Sequence, residues 1–167
     1  MLKDYEKYHG TVLHALVAGC HEPLNIGVDD IHGRVNGYVI NQRLGVYIKH
    51  SSKRLTPWRF AFNAEHLSEL TYMSGKYKSL YVVFVCGSDG LACLRYAKLL
   101  EIGASSAAPG QLSIGISRSR NQMYGVYGAR RSLDKKIAVG VRAILEELDV
   151  ATTLGTTIEA PAAIVVA

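Results

Sequence analysis

Apolar residues recur at helical spacing near the start of the chain. Tyr5, Tyr8, Val12, Leu13, Leu16 and Val17 form one stripe, which predicts an amphipathic helix over residues 3–18. Gly10 inside it costs about 1 kcal/mol relative to Ala, and Gly19 suits the C-terminal stop. The pattern then changes period. "NGYVINQRLGVYIKHSS" alternates as two strands, 37–41 and 44–49, turned by Asn41, Gln42 and Arg43. "WRFAF" alternates again and predicts a third strand, with Pro57 just before it, where no ladder donor is needed. Asn63 can cap a short helix carrying Leu67, Leu70 and Met73. "LYVVFVC" is apolar without a break, the mark of a strand buried on both faces, and "GSDG" turns it into a partner strand over 91–95. After the small-residue loop "GASSAAPG" comes another hairpin, "LSIGISR" and "QMYGVYG", with its turn at 119–121. Ile137, Val141, Ile144 and Leu148 predict a last helix over 134–149, with Ser132 as its cap.

These elements make one α+β domain over residues 1–150. The expected architecture is a mixed, antiparallel-rich sheet with strand 80–86 at its centre, packed against the N-terminal and C-terminal helices. The tail, "ATTLGTTIEAPAAIVVA" over 151–167, has one charge, no aromatic residue and no helical period. It is expected to be disordered, chiefly over 151–160, or to dock through "AIVVA" as an edge strand or arm.

At 167 residues the chain is long enough for a substantial core, and 49% apolar with 20% charged residues is ordinary for a globular protein. Its longest apolar run is far shorter than the roughly 20 residues of a membrane-spanning helix, so no membrane association is expected. "MLKDYEKYHG" lacks the apolar block of a signal peptide. Cys20, Cys86 and Cys93 are odd in number and imply no disulfide framework, so a reducing cytoplasm is the expected location.

Charge changes the picture more. The formal net charge is +5, but residues 31–64 carry Arg34, Arg43, Lys49, Lys53, Arg54 and Arg59 with no acid. Residues 102–133 carry Arg118, Arg120, Arg130 and Arg131, again with no acid. Two basic patches on an otherwise slightly acidic body are predicted.

The order helix, three strands, helix, strand over residues 3–86 is similar to the core of restriction-endonuclease-like folds. The wider series "YVIN", "GVYIKHSSKRLTPWRFAF", "VVFVCGSDGLACL" and "SIGISRSRNQMYGVYG", spanning roughly 5–136, resembles small bacterial proteins of the kind found among mobile gene cassettes, which implies no particular activity. The nuclease resemblance implies an Asp on the second strand and an acid-x-Lys triplet on the third, two carboxylates holding a divalent cation. Here the triplet is Tyr47-Ile48-Lys49, with Tyr in place of the acid, and Trp58-Arg59-Phe60 has no acid. Asp29 and Asp30 lie upstream, in a stretch that reads as a loop. Metal-dependent cleavage is therefore not expected, and a degenerate nuclease stays as a secondary reading.

Other chemistry is thinner. Cys86 ends an apolar strand beside Ser88 and Asp89, and a nucleophile there would need His66 in contact; the plainer reading is a small packed side chain. His9, His14, His21, His32, His50 and His66 give no zinc-type spacing with the cysteines. No phosphate loop runs from a strand into a helix, and no cofactor or metal is predicted.

What remains is a binding surface. Lys49, Lys53, Arg54, Arg59, Arg118 and Arg120 are the expected contacts to a nucleic-acid phosphate backbone, with Tyr47 and Tyr124 as planar faces for bases. Trp58 shares its side of the strand with Phe60 and Phe62, which assigns it to the core ahead of a stacking role. The expected function is sequence-independent, non-catalytic binding of DNA or RNA. The alternative is a homo-oligomeric interaction protein.

Overall fold

The computed structural model describes residues 1–31, 33–103 and 110–149; the 151–167 tail and its expected disorder or docking lie outside them. Helix α1, Asp4–Gly19, follows the predicted stripe, with Val12 and Leu16 fully buried and the Lys3 N–H capped by Glu6 at 2.7 Å. A meander of β1 (Ile26–Ile31), β2 (Arg34–Ile40) and β3 (Leu44–Ser51) comes next, antiparallel throughout. Asn41 and Gln42, at φ +51° and +60°, make the β2–β3 turn in the left-handed region, which matches the twist of a tight hairpin. Strand β1 was not expected. It carries Asp29 and Asp30, so these lie on a strand and not in a loop. Only partial alternation marked it, because its edge position leaves Val28 exposed.

Strand β5, Ser79–Cys86, lies parallel to β3 over its full length, and β6, Gly90–Arg95, returns antiparallel to it. The five-stranded sheet runs β1-β2-β3-β5-β6. Both faces of β5 are covered, as its unbroken apolar run requires. Tyr81, Val83 and Val85 face one core, and Val82, Phe84 and Cys86 face the other.

Strand β4, Trp58–Phe62, does not join that sheet. It pairs with β7 (Leu112–Ser117), which pairs with β8 (Gly125–Gly128), forming a second, antiparallel sheet of three strands. The alternation in "WRFAF" gives the reason. A strand with one apolar and one wet face suits an outer layer, whereas the place beside β3 goes to the wholly apolar β5. Trp58, Phe60 and Phe62 pack inward on Phe84 and its neighbours, together with α2 (Ala64–Lys76) and α3 (Tyr96–Gly103). Asn63 caps α2 as predicted, its Oδ1 accepting from the His66 N–H at 3.0 Å. Helix α3 was not predicted, because it follows β6 directly with no capping residue between them.

The final helix, α4, spans only 142–149. Residues 132–139 are not helical: isolated bridges join Ser132 to Tyr127, Ile137 to Tyr124 and Val139 to Ala92, with a bend at 134–135, and Gly140 at φ +104° precedes the helix. Ile137 packs on the core beneath the small sheet, whereas Val141, Ile144 and Leu148 join the core beneath α1. The single stripe read from the sequence thus serves two different layers, and Ser132 is no cap. Helices α1 and α4 cover one face of the large sheet, and the small sheet covers the other. Among the described residues, no helix is long and apolar enough to cross a membrane.

Candidate anion-binding cleft

Parallel pairing of β3 with β5 brings their C-terminal ends together, so the 52–57 loop and the 87–89 turn leave the sheet side by side. The Gly87 N–H donates to the Ser51 carbonyl at 2.9 Å. Gly87 has φ +55°, and a Cβ there would stand 2.3 Å from the Lys53 carbonyl oxygen, so the approach requires glycine. The buried Trp58 indole N–H donates to that same Lys53 carbonyl at 2.8 Å. Pairing of Trp58 with Ile116 then sets the turn after β7 against the loop, and the Arg118 N–H donates to Thr56 Oγ1 at 3.0 Å.

Where these segments meet there is a cleft of about 370 Å³, lined by Arg54, Thr56, Asp89, Arg118, Arg120 and Asn121 among others. Arg118 is fixed in it. Its Nε donates to the Gln122 carbonyl at 2.8 Å, its Nη1 donates to Asp89 Oδ2 at 3.0 Å, and its guanidinium lies 5.4 Å from the Tyr124 ring centroid. Tyr124 donates its hydroxyl to the same Asp89 oxygen at 2.6 Å. Burial, and then that hydrogen bond, push the Tyr124 hydroxyl upward, so it stays a neutral donor. The adjacent Tyr124 hydroxyl, followed by Asp89, holds Arg118 still more firmly charged. Arg54 and Arg120 are exposed and make no ion pair among the described residues.

Lys53 stands beside the cleft, with its Nζ donating to the Pro57 carbonyl at 2.7 Å. Lys136 reaches the same end through a hydrogen bond from its Nζ to Gln122 Oε1. Sequence reasoning missed Lys136 because Asp134 nearby masked it in a local charge count. It also missed Asp89, whose only signal was the turn "GSDG" after a buried strand.

Four expected contacts thus converge: Lys53, Arg54, Arg118 and Arg120. The others do not. Lys49 lies between the layers, its Nζ 5.1 Å from the ring centroid of Phe62, which ends β4 where Trp58 begins it. Burial lowers the Lys49 pKa, opposed by the charge of Glu69. Arg59 is on the outward face of β4, its guanidinium 6.0 Å from the Tyr127 ring centroid. Tyr47 and Tyr124 offer no stacking face. They are 1% and 0% exposed, with the Tyr47 hydroxyl spent on the buried Glu69 at 2.6 Å. Their places in the strand pattern fit a wet face only if that face is open, and here a second layer closes it.

Burial, then the charge of Asp89, push the Cys86 thiol up to about 12, so it does not ionise near neutral pH. His66 Nδ1 accepts from the Asn63 N–H at 3.2 Å at the start of α2. Asp29 accepts from the Tyr77 hydroxyl and pairs with Lys76 at 3.7 Å. Among the described residues no three His, Cys, Asp or Glu side chains cluster to hold a metal. Comparison with protein-family models, with curated proteins and with solved structures finds no match.

Proposed function

We propose that the protein binds nucleic acid through its phosphate backbone at this cleft, without reading sequence and without catalysing a reaction. The observation that carries this reading is the convergence of Arg54 with Arg118 and Arg120, from loops far apart in the chain, on one concave surface. Arginine presents a planar fork of donors that matches phosphate oxygens two at a time. Thr56, Ser119 and Asn121 add neutral polar groups to the same wall. Lys53 and Lys136 at the margin extend the positive field beyond a single anion, which favours a polyanion over a small one. Trp58 lines the cleft but is only 1% exposed, so affinity rests on charge and falls with salt.

Three phosphate contacts give a log-log salt slope of about −3 on duplex DNA. Fluorescence anisotropy across a salt series measures it. The double variant Arg54→Glu, Arg120→Glu flattens the slope by about 2 while the melting curve stays in place, because exposed charges contribute little to stability. No binding at low salt, with a concentration-dependent oligomer in sedimentation instead, would favour the interaction-protein reading.

A further inference from the structure

Resting on the phosphate reading, we infer that the cleft takes ribonucleotide units, with Asp89 accepting a hydrogen bond from the ribose 2′-hydroxyl. A carboxylate in the wall of an anion site needs an explanation, since phosphate oxygens carry no donor for it and are repelled by it. Half of Asp89 is accounted for internally: its Oδ2 accepts from both Tyr124 and Arg118. Among the described residues no hydrogen bond reaches its Oδ1. The side chain is 33% exposed and lines the cleft with Arg54 and Arg120.

The wall therefore offers phosphate donors and, beside them, one fixed, charged acceptor with spare capacity. RNA supplies the complement. Its 2′-hydroxyl is a donor next to the backbone phosphate, and it is the group that lets a protein distinguish RNA from DNA. DNA would set a C–H there and leave the oxygen unpaired. Tyr124 and Arg118 hold the carboxylate from behind, so the acceptor is positioned before the ligand arrives. Hydrogen bonds to a charged partner are the stronger kind.

The test uses the whole chain and three short labelled single strands of one sequence: RNA, DNA and 2′-O-methyl RNA, which lacks the donor hydrogen. RNA is expected to bind about tenfold more tightly than the other two. Asp89→Asn, checked for folding by circular dichroism, is expected to bring the RNA-to-DNA affinity ratio close to one, whatever it does to the affinity for DNA itself. The wild-type comparison decides the question even if Asp89→Asn fails to fold. Equal, salt-dependent binding of all three strands, lost in Arg54→Glu, Arg120→Glu, would overturn this inference and leave the phosphate reading standing. Binding of 2′-O-methyl RNA as tightly as RNA would overturn it too, since no donor would be involved. No binding of any strand at low salt would overturn both readings.

Discussion

His9 sits on the inner side of α1, 3% exposed, with its Nδ1 3.0 Å from the Tyr38 hydroxyl. The Tyr5 ring meets it edge-on at 5.6 Å. Burial first, and the nearby charge of His50 second, lower its pKa to about 4. The sign of the consequence follows. The unfolded chain takes up a proton near pH 6.5 and the folded chain only near pH 4, so the stabilisation is complete above about 6.5. It is lost as pH falls towards 4 and does not change further below that. Between pH 7 and pH 5 the cost is about 2 kcal/mol, read as a lower urea midpoint. His9→Gln should remove most of this slope. An unchanged slope in the variant would show that the proton goes elsewhere. Nothing in the sequence distinguished His9 from five other histidines, because the burial that sets its pKa comes from β2 and β3, far along the chain.

At the scale of elements, the cleft depends on one turn. Gly87 lets the end of β5 approach the 52–57 loop, and a methyl group there would meet a backbone carbonyl oxygen, which cannot move aside as a side chain could. Gly87→Ala should therefore displace Lys53 and Arg54 and break the Trp58 indole hydrogen bond. Since φ is positive as well, a loss of stability of about 1–3 kcal/mol is expected, and nucleic-acid binding should weaken in the variant that still folds. A variant with native binding and an unchanged melting temperature would show that the loop is not held this way. Local signals made the strands around this turn legible: the unbroken apolar run of β5, the Asn-Gln turn before β3 and the Asn63 cap of α2. They failed where one pattern had two uses. The stripe from Ile137 to Leu148 looks like a single helix, but Ile137 belongs to a bridge with Tyr124, and only the residues after Gly140 are helical. Pairing between β4 and β7 is a long-range choice that alternation alone does not specify. It split the strands into two sheets and buried Tyr47 and Tyr124.

For the molecule as a whole, the two acid-free stretches were visible in the sequence, but their relative placement was not. The fold divides them. Part of each meets at the cleft, whereas Lys49 goes between the layers and Arg59 goes to the outer face of the small sheet. This division separates a localised site from diffuse positive charge, because the two respond differently to the same change in net charge. Arg59→Glu alters net charge as much as Arg120→Glu does. If binding is localised, Arg59→Glu should leave the salt slope within error and shift affinity only slightly, since its field is screened over about 10 Å at 0.1 M salt. Arg120→Glu should flatten the slope by about 1. Both are exposed, so both should melt with the native chain. Equal flattening by the two variants would mean that the ligand tracks the outer sheet as well, and the cleft would then be one part of a wider basic surface.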